Sequence, residues 1–242
     1  MKKIVFKDIT FKNFHPSDFS NIVKKNGLFV FPAGPALANF KLHSNYHKAL
    51  IKSDYVFFDS GYFVLLLRFL KKIKVKKFSG YLFLKLLFNY LKRNKKNKIF
   101  LINPNLKSSK INNEYLDKLG LKNRANYEAP IYNNKSVYDF KLLKIINENR
   151  PNFIIINLAG GIQEVLGYFI KKKIKFKSKI ICTGGAISYF TGEQAPINNF
   201  IDKLYLGWLY RIFFNPKIFL TRYFNSLKLY FFVKRSLIKI IS

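Results

Sequence analysis

RPNFIIINLAGGIQEVLGYFIKKK, residues 150–173, carries the signs of one strand, one turn and one helix in succession. Phe153-Ile154-Ile155-Ile156 is a continuous apolar run rather than an alternating one, which suits a parallel strand covered on both faces. Gly160-Gly161 supplies the turn, and helical spacing resumes from Gln163. Comparable short apolar runs predict strands at 3–11, 27–32, 55–59, 98–102 and 179–183, alongside 153–158. Helices are predicted between them at 36–51, 61–73, 81–95, 135–149 and 163–173. Within 135–149, Val137, Phe140, Leu143 and Ile146 recur at steps of three as one helical face, and Pro151 follows as a stop. This alternation predicts an α/β fold, a Rossmann-like and mostly parallel sheet flanked by helices.

Two stretches break the pattern. Residues 103–134 are rich in Asn and Lys and read as an excursion from the sheet. From Ala195 onward no further strand is evident, and Leu204–Phe214 and Pro216–Ile241 read as helices mixing aromatics with Lys and Arg. The expected division is an α/β domain at 1–194 and a helical, basic and aromatic C-terminal appendage at 195–242. Aromatic and basic residues sharing a helix are the pattern of binding at a membrane interface, although the same aromatics could pack on the domain.

Composition narrows the function classes. The 242 residues suit one domain, and 49% hydrophobic with 18% aromatic residues excludes disorder as a description of the whole. Lys and Arg number 44 against 12 Asp and Glu, a net charge of +32 that attracts polyanions. Lys, Asn, Ile, Phe and Tyr are abundant together, as AT-rich codons also produce, so charge alone selects no partner. Cys182 is the only cysteine, which excludes an internal disulfide and a cysteine-built metal site and agrees with a reducing compartment. Lys7, Asp8 and Lys12 interrupt any signal-like apolar run, and no stretch reaches the ~18 apolar residues of a spanning helix. The basic clusters Lys71–Lys77 and Lys92–Lys98 come with no nucleic-acid motif, so no nucleic-acid partner is expected. His43 and His47 lie four apart on a predicted helix without an acid nearby. They read as a solvated helix face, and no metal is expected.

With acids so scarce, the candidates for acid-base chemistry are few. Ligands of open α/β sheets bind beyond the carboxyl ends of the strands. Asp59 follows Tyr55-Val56-Phe57-Phe58 and precedes Ser60-Gly61, where a helix opens. Gln163 and Glu164 follow the Gly160-Gly161 turn, and Gly184-Gly185-Ala186 follows the strand at 179–183. Such strand-to-helix junctions present unpaired N–H groups suited to a nucleotide diphosphate. Neither glycine pair matches the dinucleotide fingerprint or a P-loop, and Asp59 could equally be a helix N-cap.

At these residues the sequence resembles the WecG/TagA/CpsF family of bacterial glycosyltransferases, over roughly Gly27 to Arg222. SDYVFFDSGYFVLLLRFLKKIKVKKFSG (53–80) is similar to that family's strand, Asp-Gly turn, helix and basic-x-x-Gly segment. RPNFIIINLAGGIQE (150–164) is similar to its strand ending in Gly-x-Pro-x-Gln-Glu. The block from Thr183 to Phe224 follows its closing segment, with an Ala-Pro pair, Leu-x-Trp-Leu-Tyr-Arg, a later Pro and a final Arg-Tyr, and FPAGPAL (31–37) looks like a divergent branch. The resemblance implies an inverting, metal-independent transfer of an N-acetylmannosamine-type sugar from a UDP-sugar to a polyprenyl-diphosphate-linked acceptor. It places this in cell-surface polysaccharide synthesis, on the cytoplasmic face of an anionic membrane, with no cofactor; a homo-oligomer is compatible with it. By the same resemblance Asp59 is the catalytic base, Gln163 and Glu164 contact the nucleotide, and Lys77, Arg211 and Arg222 meet phosphate or acceptor. The sequence departs from the family pattern at Phe31, Ala33, Lys77, Gly161, Ser188, Gln194 and Gly207. Those polar losses keep a second expectation open, a sugar-nucleotide-binding protein of the same fold without turnover.

Overall fold

The computed structural model describes residues 2–42, 44–133, 137–194 and 224–241, with the single helical positions 213, 216 and 220. Arg211, Arg222, Gly207 and the predicted helix at 204–214, apart from Phe213, lie outside them. The chain opens with β1 (Lys3–Phe6) and β2 (Ile9–Lys12), then a short turn of helix α1 (Phe19–Ile22) and β3 (Gly27–Val30). Helices α2 (Gly34–Asn39) and α3 (Asn45–Ile51) lead to β4 (Tyr55–Val56), and α4 (Gly61–Lys71) and α5 (Gly80–Arg93) to β5 (Ile99–Asn103). There follow α6 (Leu106–Lys118), β6 (Arg124–Glu128), α7 (Phe140–Asn149), β7 (Phe153–Ile156), α8 (Ile162–Lys173) and β8 (Lys179–Cys182). The short α9 (Ser188–Thr191), the C-terminal helix α10 (Lys228–Arg235) and β9 (Ile238–Ile241) complete the described elements.

One sheet takes all nine strands in the order β6-β5-β7-β8-β3-β4-β2-β1-β9. Every pairing from β6 to β2 is parallel, while β1 pairs antiparallel with both β2 and β9. Phe153 and Ile155 face one side of the sheet and Ile154 and Ile156 the other, and β3, β5 and β8 divide their residues in the same way. Helices α2, α3, α4, α7, α8 and α10 cover the side of Ile154 and Ile156, and α1, α5 and α6 that of Phe153 and Ile155. The α/β, mostly parallel architecture expected from the continuous apolar runs is the one found.

Five helices begin on a residue whose side chain accepts a bond from a first-turn N–H: Ser44, Ser60, Ser79, Asn105 and Asp139. These caps explain several boundary corrections. Ser44 separates α2 from α3, where one helix over 36–51 was expected. Asp139 starts α7 late, so Val137 precedes the helix, Phe140 is exposed, and Leu142 and Ile146 face the core. The predicted strand 3–11 is a hairpin, since Lys7 and Asp8 both take positive φ, the requirement of a two-residue turn matched to strand twist.

Two expectations fail more broadly. Residues 103–134 are no excursion: they hold α6 and the edge strand β6. Ser109 and Asn112 are among the few inward positions of α6, so polar residues hide its helical period. At the C-terminus the helix stops at Arg235 and Ile238–Ile241 pairs with β1, so the chain after 195 does contain a strand. The end of the appendage is thus hydrogen-bonded into the sheet, with Leu229 and Val233 of α10 buried in the same core. No helix among the described residues is long and apolar enough to cross a membrane.

Packing is close where α8 crosses the sheet. A Cβ on Gly167 would lie 2.8 Å from Leu28 Cδ1 and 2.9 Å from Cys182 Sγ, both fully buried. Gly167→Val should therefore overpack this crossing and lower stability by about 1–3 kcal/mol, measured by urea unfolding; an unchanged midpoint would show that α8 can move off the sheet.

Candidate functional site

The strands β7, β8, β3 and β4 are adjacent, and their carboxyl ends carry the junctions Asn157–Gly161, Thr183–Gly185, Phe31–Gly34 and Phe57–Ser60 side by side. The junctions after β3, β7 and β8 are the ones without a side-chain cap: Ala33, Gly161 and Thr183 make no capping bond of that kind. They also press together. A Cβ on Gly34 would lie 2.8 Å from Ser60 Oγ, and one on Gly160 3.5 Å from the Cβ of Ala36.

Asp59 is half-buried on this rim. It is not the cap of α4, a role taken by Ser60, whose Oγ accepts from Phe63 N–H at 3.2 Å. Its Oδ1 instead accepts the N–H of Gly80 at 2.9 Å, which sets the carboxylate against the positive end of the fourteen-residue α5. Phe78 N–H donates to Phe58 O at 3.0 Å, so the segment carrying Lys77 runs beside Asp59. Lys77 is partly buried there. Gly80 also lies against Thr183, at 3.3 Å from a would-be Cβ, which joins the Asp59 junction to that of β8.

Gln163 and Glu164 continue the chain of contacts. Gln163 Oε1 accepts the N–H of Gly184 at 2.7 Å, and its Nε2 donates to Glu164 Oε1 at 3.1 Å. Gly184 adopts φ +60°, which favours glycine. Glu164 Oε2 accepts the N–H of Gly161, itself at φ +96°, at 2.7 Å. Glu164 is fully buried, and that burial pushes its carboxyl from 4.5 up to about 7. Hydrogen bonds from Gly161, from its own N–H and from Gln163 oppose the rise, and the negative charge of Asp59 adds to it. Asp59, Gln163, Glu164 and the Gly160-Gly161 and Gly184-Gly185 turns therefore form one site, with Ala186 in the turn after β8, its N–H bonded to Thr183 O at 3.3 Å.

Sequence reasoning passed over several polar groups that gather here. Tyr46 Oη, Thr183 Oγ1, Asn103 Nδ2, Asn112 Oδ1 and Asn157 Oδ1 are buried without a hydrogen-bond partner among the described residues. Native proteins leave few such atoms, and each calls for a water or ligand to complete it. Asn103 ends β5, Asn157 follows β7 and Thr183 follows β8. Burial pushes the Tyr46 hydroxyl well up, and Glu164, Cys182 and Asp59 add to the rise. A polar residue closing an apolar run, as in IFLIN and FIIIN, was the signal available for the two strand-end asparagines.

His47 is buried rather than on a solvated face: its Nε2 lies 2.7 Å from Lys7 O and its ring stacks on Phe40. His43 lies outside the described residues. Among the described residues no cluster of three or more His, Cys, Asp or Glu could hold a metal ion.

Because the folded state holds the Glu164 proton more tightly than the unfolded state, this group contributes stability that is complete below pH 4.5 and lost as pH rises through about 7. The loss is on the order of 3 kcal/mol. Glu164→Gln should remove it, so the stability difference between variant and wild type should move in the variant's favour between pH 5 and pH 8, as read from urea midpoints. A difference independent of pH would show that Glu164 titrates normally.

The sequence profile of the Glycosyl transferase WecG/TagA/CpsF family matches residues 4–240, nearly the whole chain. A search of curated proteins finds no match. The profile runs through each strand of the sheet and through every junction of the rim, so the chain belongs to the WecG/TagA/CpsF family of glycosyltransferases.

Proposed function

We propose that the protein transfers an N-acetylmannosamine-type or related sugar from a UDP-sugar to a polyprenyl-diphosphate-linked acceptor, with inversion, in the synthesis of a cell-surface polysaccharide. The observation that carries this reading is Asp59: one carboxylate, held by Gly80 N–H at the start of α5, beside glycine turns whose helix starts lack side-chain caps. Asp59 acts as the base that takes the proton of the acceptor hydroxyl as it attacks the anomeric carbon. The bond from that carbon to the diphosphate breaks, and UDP leaves with the electron pair. Backbone N–H groups of the turns after β7 and β8, other than those of Gly161, Gly184 and Ala186, which are already bonded, act with Lys77, Arg211 and Arg222 to stabilise the departing charge, without need of a metal. Gln163 and Glu164 shape the floor beneath the nucleotide.

The acceptor's lipid places the reaction on the cytoplasmic face of the membrane, and the C-terminal elements suit that position. While Leu229 and Val233 of α10 face the core, Phe224, Leu227, Phe231 and Leu237 are exposed beside Lys228, Lys234, Arg235 and Lys239. Apolar and basic side chains on one outward surface favour an anionic leaflet, each basic residue adding about 1 kcal/mol. A binding protein without turnover is the second reading. It is favoured by Gln163 and Glu164, whose polar atoms bond to Gly184, Gly161 and each other.

Release of UDP from a panel of UDP-sugars, with a short-chain polyprenyl-diphosphate-sugar acceptor, tests the transfer. Acceptor-dependent release that falls about 10²–10⁴-fold in Asp59→Asn is expected, with the variant's melting temperature recorded as a folding control. Release retained by the variant would remove Asp59 as the base, and UDP binding without release from any donor would favour the second reading. For the membrane, co-sedimentation with anionic vesicles should fall several-fold in the double variant Phe231→Ser, Leu237→Ser and with added salt. Equal binding to neutral vesicles would overturn the electrostatic part.

A further inference from the structure

Three side-chain amides meet beneath the rim on the side away from Asp59. Asn103 Oδ1 accepts from Asn112 Nδ2 and from Asn157 Nδ2, each at 2.8 Å. Asn103 is the last residue of β5, Asn157 follows the last residue of the neighbouring β7, and Asn112 reaches in from α6. All three residues are buried, and the other polar atom of each amide has no partner among the described residues. One lock, through Asn103 Oδ1, joins β5 to both β7 and α6. It leaves three hydrogen-bonding atoms over, all at the end of the sheet where ligands bind.

We propose that Asn103, Asn112 and Asn157 form the subsite that reads the base of the donor nucleotide, and that the base is uracil. The proposal rests on the sugar-nucleotide reading above. Asn103 is the centre of the row, bonded to an amide on either side. Its oxygen can accept from two neighbouring NH2 groups, or, with all three amides turned over, its NH2 can donate to two neighbouring oxygens. Both hydrogen bonds survive the turn. The remaining atoms then read acceptor-donor-acceptor in one state and donor-acceptor-donor in the other. Uracil presents O2, N3–H and O4, acceptor-donor-acceptor, and the second state satisfies all three. Cytosine and guanine match neither state in full, and adenine leaves one amide oxygen idle. A desolvated polar row of this kind discriminates strongly, because a base that fails to match leaves buried groups unpaired.

Position along the rim agrees with this assignment. From the β5/β7 boundary to β4 the sheet advances about 17 Å at ~4.8 Å per strand, a span comparable to an extended nucleoside diphosphate sugar. A base at the amides puts the diphosphate over the turns after β7 and β8 and the sugar at Asp59. The chain returns to solvent immediately above the amides, at Pro104–Lys107 and Ala159-Gly160, so these exposed turns are the cover that a base must part.

Titration calorimetry of the full chain with UDP, N3-methyl-UDP, CDP, ADP and GDP tests the subsite. UDP should bind at least tenfold more tightly than each of the others, N3-methylation removing only the central donor. Asn103→Leu, and independently Asn112→Ala, should weaken UDP and abolish its advantage over N3-methyl-UDP, with melting temperatures showing that each variant folds. Equal affinity of the wild type for UDP and N3-methyl-UDP, or tighter binding of another base, would overturn the subsite and leave the nucleotide reading standing. Binding of none of the five would overturn both, the amides then holding an ordered water only.

Discussion

The central strands of this protein are covered on both faces, and most of the structure follows from that constraint. A strand such as Phe153–Ile156 has no solvent side, so apolar residues occupy every position and helices must lie above and below. Polar chemistry is thereby confined to strand ends, where the backbone turns out of the sheet. Since β7, β8, β3 and β4 are adjacent and parallel, their carboxyl ends open on one rim, and residues more than a hundred positions apart in sequence meet there. Asp59 and Glu164 come near enough for one charge to act on the other only because β8 and β3 pair.

The rim combines two kinds of closure. Ser60 and Ser79 cap α4 and α5, as Ser, Asn or Asp cap α3, α6 and α7. Three further N–H groups are taken by the polar side chains of the rim: Gly184 by Gln163, Gly80 by Asp59 and Gly161 by Glu164. These bonds hold the turns of the rim in place. The burial that raises the Glu164 carboxyl to about 7 costs stability above that pH.

Much of the fold was legible in the chain. Continuous apolar runs marked the parallel strands, and the glycine turns after two of them marked the rim. The elements that escaped reading are those whose residues look outward or pair at an edge. β6 offers only Ala125 and Tyr127 to the core, α6 turns Ser109 and Asn112 inward, and β9 is an Ile-rich segment with no local cue distinguishing a strand from the end of a helix. The hairpin of β1 and β2 was hidden because Lys7-Asp8 is an uncommon choice for two left-handed positions.

The sequence by itself determined the layered α/β class, the family, and the short roster of acids from which a base could come, because periodicity and composition are local properties. Tertiary structure alone decided which of those groups act together. That Asp59 bonds to Gly80 rather than capping α4, that Gln163 reaches the turn after β8, and that three asparagines from β5, α6 and β7 share hydrogen bonds are consequences of strand order. Strand order is set by how helices pack across the whole sheet, and no window of sequence contains that information.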